Sequence, residues 1–393
     1  MDTEKLSTVI GAISHTIHPI QIPTNCSFWM LRTKSGAYYG EYVRERYIAI
    51  GWNVLLQKNI LQDDNEKLRK AIEANYIDKQ PGSAVNKCTS FVQTMKSGDI
   101  VMILGEKQVA FGVVGEYFEE TEISECVRKE KEADAQIEAG LHREESIQCP
   151  YVKRRKIQLI KEVDEKRLTP TLARSLLNHH SLSNADEYAI PILNTCFDLY
   201  AYLDETRVVF RVNTQHKIKG RDFAAFTYFL NEFFCAISSE DDVSITTNLN
   251  SPGDYVVAIQ HGIEFVQSNL PAFIFIFTIL FGGSFEGHGF KLDIPSVRGF
   301  AKWMCERSYT AQEKELKLAQ KREEIDSIKF DNELKLIQIQ REKNQLAFDK
   351  MPTDQDFQKL QQASQALELQ NPEPNAISFP LPNREDHKDG SAS

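Results

Sequence analysis

Six aromatic residues, Trp29, Tyr38, Tyr39, Trp52, Tyr117 and Phe118, stand in or beside short apolar runs in the first third of the chain, with Lys34, Ser35 and Asn53 adjacent to them. Aromatic faces stack planar rings, at about 1–3 kcal/mol for a nucleobase. Neighbouring amide, hydroxyl and ammonium groups can hydrogen-bond the polar edge of such a ring. A second set, Lys153-Arg154-Arg155-Lys156, has the charge to contact phosphates; lysine and arginine along a strand edge also guard against aggregation. Bond-making chemistry is poorly represented. The chain has no Walker loop, no G-x-S-x-G, no H-E-x-x-H and no nuclease-type carboxylate–lysine set. His179-His180 lacks an acidic or cysteine partner at metal-ligand spacing and reads as a helix exit. No catalytic residue, metal or cofactor is therefore expected. The chain does not read as an enzyme, a divergent nuclease being the alternative that the missing motifs disfavour.

The aromatic set must be positioned by short strands. Residues 27–32, 47–53, 95–103 and 109–117 alternate apolar and β-branched runs with glycine-anchored turns, and Lys156-Ile157-Gln158-Leu159-Ile160 alternates by two. Leu61 to Tyr76 carries a helical apolar face, and Ser90 to Met95 reads as a helical turn feeding Gly98-Asp99. The acidic run from Glu119 to Glu145 reads as a solvated loop or helix. Trp29 lies between Phe28 and Met30 in a strand, so core and pocket are both open to it. Trp52 follows an apolar run ending in Gly51 and precedes Asn53, which marks a strand end at a surface loop and favours a pocket.

The blocks Phe28-Trp29-Met30-Leu31-Arg32-Thr33-Lys34-Ser35, Ile50-Gly51-Trp52-Asn53, Lys96-Ser97-Gly98-Asp99 and Phe111-Gly112-Val113-Val114-Gly115-Glu116-Tyr117, in this order, resemble a PUA-like domain of the EVE/YTH superfamily, of the type that accompanies restriction and defence proteins. The resemblance covers residues 27–160. It implies a small β-barrel that reads a single, often modified, base in an aromatic pocket. It implies Trp52 as one wall, Asn53 as a base contact and Lys34-Ser35 at the mouth. Those relatives take further walls from tryptophans after the Gly-Val-Ala-type strand. Here residues 118–150 hold none, and Tyr117 or Phe118 must substitute.

The organisation expected is α+β: a PUA-like domain over 26–165, a helical linker over 166–204, an α+β adaptor domain over 205–295, a long helix over 296–350 and a disordered tail over 351–393. The adaptor domain resembles, loosely, those beside effectors of bacterial conflict systems, on Asn250-Ser251-Pro252-Gly253 and Gly282-Gly283. Phe290 to Ile294 reads as its last strand. Pro271 to Phe281 is an eleven-residue apolar run, short of the roughly 20 residues a membrane span requires. A buried helix or an oligomer contact is the favoured reading, and insertion into a membrane the minor one. About fifty helical residues would extend roughly 75 Å. Leu318, Ile325, Asn332, Ile339 and Leu346 recur every seventh residue there, a thin seam for its own fold or a partner.

The net charge of −10 argues against non-specific coating of nucleic acid, although residues 151–174 carry eight cations against three carboxylates. Seven scattered cysteines without a C-x-x-C pair suit a reducing compartment. The start Met1-Asp2-Thr3-Glu4-Lys5 has no signal-peptide character, so a cytoplasmic location is expected. The function expected is a sensor of DNA, RNA or a nucleotide in a prokaryotic antiviral or restriction-type defence system, signalling through C-terminal assembly as a homo-oligomer or with a partner protein. The alternative is a membrane-disrupting or partner-recruiting effector subunit.

Overall fold

The computed structural model describes residues 19–77, 80–141, 147–178, 180–214, 216–238, 242–248, 253–280, 309–310, 312–320, 327–350 and 353–370. The expected strand at 290–294, Gly282-Gly283, Asn250-Ser251-Pro252 and Ile325 lie outside them, as does most of the tail. The class is α+β, in two units divided after Cys196, with the segment ending at Ile22 joining the second.

The first unit is built on six strands: β2 (Phe28–Arg32), β3 (Tyr47–Ile50), β4 (Ile100–Leu104), β5 (Gln108–Glu119), β6 (Lys153–Asp164) and β7 (Leu182–Asn184), paired in the order β3-β6-β5-β4-β2-β7. Strands β2 and β4 run parallel, and the other neighbours antiparallel. The ladder has β3 and β7 at its ends, so among the described residues it is a curled open sheet, not a closed barrel. The curl has a local cause. The β5–β6 register shifts at Phe111/Gly112 and again between Val114 and Tyr117, and each bulge bends its strand. Gly112 and Gly115 sit at those shifts, where a Cβ would meet Gln158 O and Lys156 at 3.2 Å. Glycine is what lets β6 approach there.

The helical face expected over 61–76 is two helices, Gln57–Gln62 and Asn65–Asn75. The break falls at Asp63-Asp64 because the Asp64 carboxylate caps the second, accepting from Lys67 N at 2.8 Å. The acidic run contains a true helix, Cys126–Glu138.

Residues 166–196, expected as a linker, belong to the first unit. Strand β7 pairs with β2, Ala185 N donates to Phe28 O at 2.7 Å, and the Arg32 guanidinium donates to the carbonyls of Leu176 and Asn178. The three residues of β7 were too short a signal against the turn residues around them.

The second unit has a five-stranded sheet ordered β1-β8-β9-β11-β10, from β1 (Ile20–Gln21), β8 (Leu199–Tyr202), β9 (Glu205–Val212), β10 (Val243–Asn248) and β11 (Gly253–Ile259). The N-terminal β1 adds to β8 in parallel. Helices Gly220–Ile237, Leu270–Leu280 and Asp354–Ala366 share one core with Val208, Phe210, Tyr255 and Val257. The helix expected from His261 to Phe281 breaks at Asn269, whose amide turns back to Phe265 O at 2.9 Å. In Leu270–Leu280, Phe273, Ile276 and Phe277 are buried in that core, and among the described residues no helix is long and apolar enough to cross a membrane.

Part of the expected tail is folded. Thr353 and Asp356 form a reciprocal capping box that starts Asp354–Ala366. Ser364 Oγ donates to Leu280 O at 2.8 Å, and Phe357 and Leu360 are buried. The prolines that suggested disorder begin only after this helix. Leu360→Ala should lower the unfolding free energy of the second unit by about 2–5 kcal/mol; an unchanged urea midpoint would mean that the helix is not part of that core.

Candidate ligand-binding site around Trp52

Strand β3 ends at Ile50, and the chain turns through Gly51-Trp52-Asn53. Trp52 has φ of +58°, the left-handed region that a bulky residue occupies only when its surroundings impose it. The surroundings are explicit. Glu130 accepts from Trp52 N through Oε1 at 2.6 Å and from Asn53 N through Oε2 at 2.8 Å. Lys153 Nζ donates to Trp52 O at 2.8 Å. Glu130 also accepts from Tyr76 Oη at 2.6 Å. Glu130 and Lys153 are both buried. Burial pushes the Glu130 carboxyl above its ordinary value, while the hydroxyl of Tyr76, the two backbone N–H groups and the Lys153 ammonium pull the other way. A Cβ on Gly51 would lie 2.6 Å from Glu130 Oε1, so the carboxylate seats only against glycine.

Asn53 completes the turn. Its Nδ2 donates to the carbonyls of Cys126 and Pro150 at 2.9 Å each, and its Oδ1 accepts from Val152 N at 3.1 Å. The side chain expected to contact a base instead ties three segments together. The Trp52 ring is half-buried where the sheet core meets the helical cluster of Leu55, Leu68 and Val85, and Tyr117 packs at the same junction. Lys87 Nζ stands 5.6 Å from the Trp52 ring centroid. Tyr117 Oη and Gln57 N both donate to Glu119 Oε1, at 2.8 and 2.7 Å.

The other expected residues separate into groups. Trp29 is core: it is buried, and Nε1 donates to Asp99 Oδ2 at 2.8 Å. Asp99 also accepts from Lys96 N and Ser27 N, so this indole closes the Lys96–Asp99 turn. Trp29→Phe should cost about 1–3 kcal/mol by leaving that carboxylate short of a donor, with ligand affinity unchanged; lost affinity would put Trp29 back in the pocket. Tyr38 and Tyr39 are buried, Tyr38 edge-on to Tyr151 with ring centroids 5.2 Å apart. Lys34 and Ser35 have positive φ and are exposed, and Lys34 Nζ reaches Asp134 Oδ1 at 3.0 Å.

The basic run is largely internal. Lys153 supports the Trp52 turn. Arg154 stacks on Tyr47 at 4.3 Å, donates to the carbonyls of Tyr151 and Cys149, and pairs with Glu120 at 3.2 Å. Arg155 donates to the carbonyls of Phe91, Val92, Met95 and Gly115. Lys156 alone of the four is exposed. The expected phosphate contacts of the three buried cations are thus replaced by contacts with the fold, because the start of β6 is covered on both faces: by the Trp52 turn and the Phe91–Met95 segment over Lys153 and Arg155, and by Tyr47 and Glu120 over Arg154. Phe118, Arg154 and Lys156 do meet, with Arg46 and Tyr47, in an open cleft of about 680 Å³ at the other end of β3, which Trp52 does not line.

Glu130 was missed from sequence because Cys126–Glu138 reads as a solvated charged stretch. The trace it leaves is the face it shares with Ala133, which is buried, and Ile137, which packs on the sheet core. Among the described residues no cluster of three metal-ligating side chains occurs.

A family model described as "Domain of unknown function (DUF8426)" matches residues 29–131, about a quarter of the chain. The match runs from Trp29 past Glu130 and includes Trp52 and Tyr117. No curated protein and no solved structure matches the chain.

Proposed function

We propose that the first unit reads a nucleobase, in a free nucleotide or in single-stranded DNA or RNA, by stacking it on Trp52 with Tyr117 beside it. The observation that carries this reading is the left-handed Trp52 turn, held by Glu130 and Lys153. A conformation of that kind costs of order 1–3 kcal/mol and persists when its surroundings over-determine it. A buried carboxylate and a buried ammonium serve here to fix the backbone that presents one partly buried tryptophan. Fixing a stacking surface before the ligand arrives removes ordering cost from binding. Lys87, near the ring, supplies a cation for a phosphate carried with the base.

The same reading makes the protein a sensor in a prokaryotic antiviral or restriction-type defence system, acting in the cytoplasm and passing occupancy to its C-terminal part. This wider role rests on the PUA-like EVE/YTH resemblance of residues 27–160. The test is a titration of the full chain with nucleoside monophosphates and with short single-stranded DNA and RNA. Saturable binding to one of them is expected, and no binding to any would overturn the reading.

A further inference from the structure

Helix Ser327–Lys350 carries two apolar lines. At 100° per residue, Ile337 points one way and packs on the core of the second unit. On the same side Gln340 O accepts from Tyr309 Oη at 3.3 Å. On the opposite side Ile328, Ile339 and Leu346 fall within about 20° of one line and are 74%, 50% and 61% exposed, with Leu336 beside them at 65%. Among the described residues nothing covers this second apolar line, and a row of exposed isoleucine and leucine marks a contact surface.

We propose that this line is a homodimer contact in which the helices of two copies pair antiparallel. The charges on the line choose the occupant and its direction. Lys335 and Glu342 lie on it and are exposed. A parallel in-register pair would set lysine against lysine and glutamate against glutamate. An antiparallel pair whose two-fold axis passes between positions 338 and 339 sets Lys335 of each copy against Glu342 of the other. The two copies of Ile339 then meet beside the axis, and Leu346 and Ile328 of each copy lie level with Asp331 and Asp349 of the other. Asn332, also on the line, is the kind of polar residue that specifies pairing at a cost in strength. The Lys335–Glu342 pair and the Ile339 contact therefore complement themselves about the axis, and a second copy is the partner they fit. This inference is independent of the base-reading proposal, since no residue of the first unit enters it.

Sedimentation of the full chain over a concentration series tests it. The unmodified chain should show a monomer–dimer equilibrium. Ile339→Asp should weaken it roughly thirtyfold or more, with the helical circular dichroism unchanged because the side chain is exposed. Lys335→Glu should weaken it roughly tenfold, and adding Glu342→Lys should restore it. A chain monomeric at every concentration would overturn the proposal, as would an Ile339→Asp variant as dimeric as the parent. Lys335→Glu without effect would overturn the antiparallel arrangement.

Discussion

Trp52→Ala should weaken base or nucleotide binding roughly ten- to a hundredfold, the loss expected when one stacking face of about 1–3 kcal/mol is removed. The fold should survive it. The turn around position 52 is held through backbone groups, by Glu130 on two N–H groups and Lys153 on a carbonyl, and none of these contacts uses the indole. The ring is half-buried, so its removal should cost about 2 kcal/mol of stability, part of the 3–5 kcal/mol of a fully buried tryptophan. Trp52→Phe keeps an aromatic face and should retain most of the affinity. Parent-like binding by the alanine variant in the same titration would remove Trp52 from the site.

Glu130→Ala should have the largest effect on stability, a loss of about 3–5 kcal/mol in urea unfolding. It would leave Trp52 N, Asn53 N and Tyr76 Oη without their acceptor and Lys153 buried without its counter-charge. Binding should fall as well, because the left-handed turn loses its clamp. The pH dependence follows from the upward displacement of this carboxyl. A group whose native value lies above its unfolded value contributes fully below the unfolded value, and that contribution declines as pH rises through the native one. The parent chain should therefore show a decline in stability over that interval which the alanine variant lacks. Equal stability of the two chains would mean that Glu130 does not hold the turn.

The α+β class and most of the strands were legible because they carry period-two apolar patterns and glycine turns. The helices of the second unit were legible for a related reason: Gly220–Ile237 and Leu270–Leu280 concentrate phenylalanine and isoleucine on buried faces. What stayed hidden was non-local. Nothing near β7 announces that three residues complete a sheet begun 150 positions earlier. Glu130 sits among lysines and glutamates that are solvated, and only the approach of Gly51 makes it the buried one. Trp29 and Trp52 both end or fill short strands. Their different fates depend on Asp99, a turn residue that takes the Trp29 N–H. The cations Lys153, Arg154 and Arg155 read as a surface run because charge alone does not reveal which carbonyls lie within reach. The C-terminal helix Asp354–Ala366 was masked by the prolines that follow it. Its own cap, Thr353 with Asp356, was present in the sequence as a signal.

In a base-reading site the indole at position 52 meets the base, and tryptophan emission reads that contact directly. The chain has three tryptophans, so a Trp29→Phe, Trp303→Phe variant emits from Trp52 alone. Adding the nucleotide or oligonucleotide that the parent chain binds should quench this emission in proportion to occupancy, as a base stacks on the ring. Saturated binding with the emission unchanged would contradict the account.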